Sequence, residues 1–284
     1  MGVRDYKRLG IIAFGEHLLK TGDLDPIYVA LSRMDLTTTA RNRWLLAYWT
    51  FYHAGVASYM ADSADADEFW LRMETAGANL AAAPTPFGER WPRGHERRHM
   101  RGHNALKCIG GLKDRYRDTP ENFVPVCQAP TCKEVMAVVE EHMGFGPWIG
   151  FKVADMLERV CGIPVSFERA EVFIFKDPKK AALLFWRRSQ GMPEGAKPRD
   201  EQAILEMVVQ HLIKEFAEIR GHKAPPAHDR PVGIQEVETV LCKWKSHLNG
   251  HYPLNNDIVE IGDGLKPWLQ HSNIAQQFAE AMPK

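Results

Sequence analysis

The sequence predicts a mainly all-α protein. Apolar residues recur at three- and four-residue spacing in most windows, alternating runs are few, and clusters of Pro and Gly punctuate the chain. That periodicity gives helices at 7–20, 25–33, 40–60 and 65–82. The Pro-rich stretch Ala83-Pro84-Thr85-Pro86-Phe87-Gly88 closes this set and leads into a basic helix at 93–115. After a loop through Thr119-Pro120 to Pro130, a short helix is expected over Cys132–His142. Another follows over Pro147–Cys161, with Pro147 suited to a first helical position. Ile163–Phe175 is the best strand candidate, and a longer helix is expected at 200–220. Pro225–Pro231 looks like a surface crossing, Gln235–Asn249 an amphipathic helix, and the tail runs on through a Gly-rich turn. There is no internal repeat. The expected architecture is a single domain over 1–284 with lobes at approximately 1–118 and 119–284, and a cleft between them for a ligand.

Composition narrows the class. The chain has 284 residues, 45% hydrophobic and 25% charged, as in ordinary globular proteins. No apolar run approaches the roughly 18 residues a membrane span needs, and Met1–Arg8 lacks a secretory signal's apolar core. A cytoplasmic location is expected. Five cysteines without framework spacing fit a reducing compartment. A net charge of zero argues against sequence-blind coating of nucleic acid and leaves room for a focused contact.

One segment breaks that neutrality. From Arg90 to Asp118 nine Lys or Arg face only Glu96, Asp114 and Asp118. On a helix Arg93, Arg97 and Arg101 form one stripe, with Glu96 and His99 three apart beside it. Arginines so placed can grip phosphate oxygens through forked, charge-assisted hydrogen bonds. His95-Glu96-Arg97-Arg98-His99 also matches H-E-x-x-H, a zinc-hydrolase pattern. Two arginines beside a dication, and Ala105 where the extended pattern needs a third His, weigh against that reading.

A second segment, Met143-Gly144-Phe145-Gly146-Pro147-Trp148-Ile149-Gly150, lies between two expected helices. Its spacing resembles the helix-hairpin-helix of DNA glycosylases, in which glycines allow a tight turn and the second helix's first amides meet a phosphate. Where lyase-type glycosylases carry a lysine this chain has Trp148, and the loop expected to hold their catalytic Asp carries Glu168 and Glu171 instead.

Arg93–Gly102, Gly144–Asp155 and Leu241-Cys242-Lys243-Trp244-Lys245 together resemble phage thymine-hypermodification proteins, the α-glutamyl/putrescinyl thymine pyrophosphorylases or amino acid:DNA transferases. The resemblance spans roughly residues 40 to 255. It implies a DNA glycosylase-like helical fold with the helix-hairpin-helix at 132–161. It also implies that an amino acid such as glycine or glutamate, or a polyamine, displaces pyrophosphate from 5-(pyrophosphoryloxymethyl)uracil in double-stranded DNA. The related 5-hydroxymethyluracil DNA kinases are excluded by the lack of G-x-x-x-x-G-K-[ST].

On that implied reaction, Arg93, Arg97, Arg98 and Arg101 would stabilise the leaving pyrophosphate. Glu96, His99 or Glu171 would take the ammonium's proton. DNA would be held by Asn104, Gly144, Gly146, Trp148 and Lys152, and by Lys243, Lys245 and His247, which could instead grip a donor carboxylate. Trp148, Trp49 and Tyr52 could stack on a flipped base or pack the core, and His53 reads as a core or surface histidine. No cofactor or metal ligand set is expected, and the need for a divalent ion and the oligomeric state are open. The alternatives are a non-catalytic DNA-binding accessory, a glycosylase-like enzyme and a zinc hydrolase using His95 and His99.

Overall fold

The computed structural model describes residues 8–168 and 175–284, and among these residues the regular structure is helical, with no strand. In chain order the helices are α1 (Ile11–Thr21), α2 (Pro26–Arg33), α3 (Thr38–Phe51), α4 (Ala54–Ala61), α5 (Ala66–Ala78), α6 (Gly102–Tyr116) and α7 (Phe123–Val126). They continue with α8 (Cys132–Glu140), α9 (Pro147–Arg159), α10 (Lys176–Ser189), α11 (Glu201–Ile213), α12 (Ile234–Leu248), α13 (Asn256–Leu265) and α14 (Asn273–Ala281). Side chains mark several starts. Thr37, Asp65, Asp200 and Ser272 each accept an amide of the first turn, and Thr131 with Glu134 forms a capping box.

The chain divides into two compact units. One comprises Met1–Val29, Ser166–Ile258 and Pro283–Lys284, the other Ala30–Val165 and Val259–Met282. The first buries Phe14 and Leu18 of α1, Trp186 of α10, Val209 and Leu212 of α11, Phe216, and Val237, Leu241 and Trp244 of α12. The second is richer in aromatics: Trp44, Trp49, Phe51, Phe69, Trp70, Phe123, Phe151, Trp268 and Phe278 are completely buried or nearly so. There Trp44 stacks on Phe278 with ring centroids 5.3 Å apart, and the Trp49 indole N–H points at Met156 Sδ at 3.1 Å.

Four expectations change. The helix expected at 40–60 breaks into α3 and α4, because Tyr52 turns to φ +54° and His53 to an extended conformation. The basic helix starts only at Gly102; residues 91–101 are irregular apart from a 3-10 turn at His95–Arg97. The helix expected at 200–220 becomes π-helical over Lys214–Ile219. The strand expected at Ile163–Phe175 falls partly outside the described residues, and its described part contains no strand. Helices α10, α13 and α14 lie where no helix was expected.

Candidate functional site

The site grows from the end of α3. A helix leaves its last carbonyls without intrahelical donors, and a cation there also meets the negative end of the helix dipole. Here Phe51 O accepts from the Gly94 amide at 2.9 Å, and Thr50 O accepts from Arg97 Nε at 3.0 Å. A second nitrogen of Arg97 donates to Gly144 O at 2.8 Å, and its guanidinium lies 5.2 Å from the Phe145 ring centroid. Arg97 is only 2% exposed, and burial pulls its pKa down to about 10. It is an interior post joining the arginine segment to the turn between α8 and α9.

That explains why no helix forms over 93–101. An arginine stripe on a helix would face one way, whereas Arg93 and Arg97 reach inward to carbonyls of neighbouring elements. Arg93 donates to Ala76 O at 3.1 Å and Trp91 O at 3.3 Å, with its guanidinium 5.7 Å from the Phe51 ring. Gly94 makes the close approach possible, because a Cβ there would stand 2.6 Å from Tyr52 O.

Arg93 keeps spare capacity. Its Nε and one terminal nitrogen are buried with no hydrogen-bond partner among the described residues, as is the remaining terminal nitrogen of Arg97. Burial, then the charge of Arg101, lowers the Arg93 pKa to about 10. Two guanidiniums repelling each other over unfilled donors create a field that favours an anion. Arg101 and Arg98 are exposed, Arg98 bending back to His95 O at 3.1 Å.

Glu96 and His99 are exposed on the same segment. Burial and the Arg97 charge hold His99 below the ordinary imidazole value, so it is neutral at pH 7. The zinc geometry is not formed: His95 lies in a 3-10 turn and His99 beyond it, so the two imidazoles do not share one helical face. Among the described residues no group of three His, Cys, Asp or Glu is gathered to hold a metal.

The turn between α8 and α9 supplies the other wall. Gly144 adopts φ +81° and packs against Cys108, and a Cβ on Gly150 would stand 3.1 Å from Met136 Cα, so glycine sets how closely α9 crosses α8. Gly146 is an exposed, extended N-cap with open space around it, followed by Pro147. The first amides of α9 therefore have no intrahelical acceptor. Asn104 is exposed on the first turn of α6.

Trp148 stands edge-on to Tyr52, ring centroids 4.7 Å apart, and Tyr52 lies 4.6 Å from Tyr48. Burial, then interaction with the Tyr52 hydroxyl, holds the Tyr48 phenol well above its ordinary pKa, and the charges of Glu96 and Lys152 also reach it. Lys152 Nζ is 4.0 Å from Asp155, whose buried carboxylate also meets Arg159 at 3.6 Å. Sequence reasoning missed Tyr48 and Asp155. The spacing Lys152, Asp155, Arg159 along one face of α9 was the signal for the second.

The remaining sequence-based candidates lie elsewhere. Lys243 Nζ donates to Asp23 O and Leu24 O, both at 2.6 Å, and pairs with Asp257 at 2.7 Å, so it fastens the end of α1. His247 is 1% exposed: Nε2 accepts from the Leu9 amide at 2.9 Å, Nδ1 donates to Tyr252 O at 2.8 Å, and the ring stacks on Phe14. Both are interior struts, and His247 has no face for a DNA strand. Lys245 bonds Asn249 at 3.2 Å. His53 caps α4 by accepting from the Val56 amide at 3.3 Å. Glu171 lies outside the described residues.

Two comparisons bear on this arrangement. A family model described as amino acid:DNA transferase matches residues 12–252. The chain is similar to a glycinyltransferase of Pseudomonas phage PaMx11, with 50% identity over 99% of this chain and 98% of that protein. It is also similar to a putrescinyltransferase of Delftia phage PhiW-14, with 26% identity over 95% of this chain and 82% of the relative.

Proposed function

The chain belongs to the amino acid:DNA transferase family, and we propose that it joins glycine to the pyrophosphate-activated methylene of a thymine in double-stranded DNA. The observation that carries the choice of donor is the 50% identity with the glycinyltransferase along essentially the whole of both chains. The putrescinyltransferase, at 26%, shares the reaction class and differs in the amine.

In this reading the glycine nitrogen attacks the exocyclic methylene. A C–N bond forms, the C–O bond to pyrophosphate breaks, and the electron pair leaves with the phosphate oxygen. Arg101 and Arg98, exposed on the surface, meet the charge that develops there, and Arg93, whose partnerless donors are buried, adds its positive field from behind. Arg97 serves as their fixed post. The attacking nitrogen arrives as ammonium and gives up a proton to Glu96 or His99; a neutral imidazole is competent for this at pH 7.

The α8–α9 pair reads as a helix-hairpin-helix of the DNA glycosylase type. Its open Gly146 and the first α9 amides, which have no intrahelical acceptor, suit a DNA phosphate, with an exposed Asn104 and a half-buried Trp148 to meet it. Such a grip would present the target base flipped from the stack.

The test is direct. Protein is incubated with duplex DNA carrying 5-(pyrophosphoryloxymethyl)uracil and a pool of amino acids and polyamines, and nucleoside masses are read after digestion. A glycine adduct with released pyrophosphate is expected. A different adduct would refute the donor, and bound but unchanged DNA would turn the reading to a non-catalytic accessory.

A further inference from the structure

Tyr52 stands where the three pieces of the site meet. It ends α3 with φ +54°, in the left-handed region that a bulky side chain rarely occupies. Such a conformation persists only where its surroundings over-determine it, and those of Tyr52 do. Gly94 presses from one side, so closely that a Cβ would lie 2.6 Å from Tyr52 O and 2.9 Å from its Cβ. The Trp148 and Tyr48 rings hold it at 4.7 and 4.6 Å.

The result is a fixed aromatic ring that is still only partly buried. Its hydroxyl is tied to the buried Tyr48 phenol, a pair within reach of the Glu96 and Lys152 charges. Ring and polar tip stand between the arginine segment and the first turn of α9. A core tyrosine needs neither the strained backbone nor the open face.

Resting on the transferase reading, we propose that Tyr52 is the residue that touches the target pyrimidine. Its ring packs against the base, and its hydroxyl, oriented by Tyr48, hydrogen-bonds the base's polar edge. Aromatic packing with one directed hydrogen bond would hold the pyrimidine while its activated methylene meets the donor.

The experiment compares wild type, Tyr52→Phe and Tyr52→Gly on two duplexes that differ only in carrying thymine or 5-(pyrophosphoryloxymethyl)uracil. It reads the affinity ratio between the duplexes, kcat and KM for transfer, and Tm. Glycine accepts the left-handed backbone but loses the ring's packing on Trp148 and Tyr48, so Tyr52→Gly should melt modestly below wild type yet bind the thymine duplex as before, since phosphate contacts dominate that affinity. Its affinity ratio should fall severalfold, because the base that carries the pyrophosphate to the arginines is no longer held in place, and its transfer should be lost. Tyr52→Phe should lower Tm only slightly, by the loss of its bond to Tyr48, and lose about tenfold in kcat/KM, roughly one hydrogen bond's worth.

Retention of the ratio and of turnover by Tyr52→Gly would overturn the proposal. So would a fall in Tm and thymine-duplex affinity in step with turnover, the mark of a structural role. A wild type that binds selectively but never turns over would reject the transferase reading alone, because the affinity ratio still reports on Tyr52.

Discussion

The Arg97 guanidinium donates to the Gly144 carbonyl at 2.8 Å, tying the arginine segment to the α8–α9 turn. Through Nε the same side chain closes the end of α3 at Thr50 O. Three elements distant in sequence thus share one buried cation, and the site's geometry depends on it.

Removing that cation should be costly. Arg97→Ala would strand the buried Thr50 carbonyl, release the Gly144 one and open a void, so a loss of about 2–4 kcal/mol is expected. Arg98→Ala, at an exposed position, should change stability by no more than about 0.5 kcal/mol while lowering transfer. Denaturant unfolding beside turnover separates the post from the contact. Equal stability of the two variants would show that the Arg97 bonds carry no weight.

The glycines of the site should divide by their surroundings. A Cβ at Gly150 would stand 3.1 Å from Met136 Cα, and one at Gly94 2.6 Å from Tyr52 O, so Ala at either should cost about 1–3 kcal/mol by overpacking. A Cβ at Gly146 would meet nothing within 4 Å, so Gly146→Ala should fold normally. If α9 presents its amides to a phosphate, that variant should nonetheless bind DNA more weakly. Thermal melts and a DNA titration decide, and unchanged affinity in Gly146→Ala would remove the phosphate from this turn.

Part of this was legible from sequence. Periodicity placed helix starts near residues 65, 132 and 200, where Asp65, Thr131 with Glu134, and Asp200 cap the helices, and Gly144 to Pro147 announced the turn, because such signals depend only on neighbours in the chain. The arginine run misled, since i, i+4 spacing gives a stripe only if the segment is a helix. Carbonyls at the end of α3, some 47 residues away, drew Arg97 inward instead. Pro92, Gly94 and Gly102 were the warning in the sequence. The break at Tyr52 had no local signal, because it is held by Gly94, Trp148 and Tyr48, and only packing brings those together. Lys243 and His247 likewise looked like surface groups until their backbone partners were in view.

His53 should make the protein acid-sensitive. Burial lowers its pKa from 6.5 to about 4, so between those values the unfolded chain binds a proton that the folded one refuses. The neutral ring costs nothing above pH 6.5. As pH falls from 6.5 toward 4 stability should drop by up to about 3 kcal/mol, because refusing one proton costs about 1.4 kcal/mol for each pH unit crossed. His53→Asn keeps a cap acceptor for the Val56 amide and has no proton to bind. Unfolding free energies of the two proteins across pH 4 to 7.5 should therefore diverge below pH 6.5, and parallel curves would contradict the assignment.

Lys243 offers a separate test of where DNA lies. Its ammonium is spent on Asp23 O, Leu24 O and Asp257, so Lys243→Met should destabilise by about 2–3 kcal/mol through unpaired carbonyls and a carboxylate stripped of its counter-charge. A lysine that neutralised a phosphate would behave differently: its loss would lower the slope of log K against log salt by about one. The expected result is a reduced unfolding free energy with an unchanged salt slope, whereas Arg98→Ala or Arg101→Ala should flatten that slope. A flatter slope in Lys243→Met would mean that the lysine leaves its carbonyls for DNA when the complex forms.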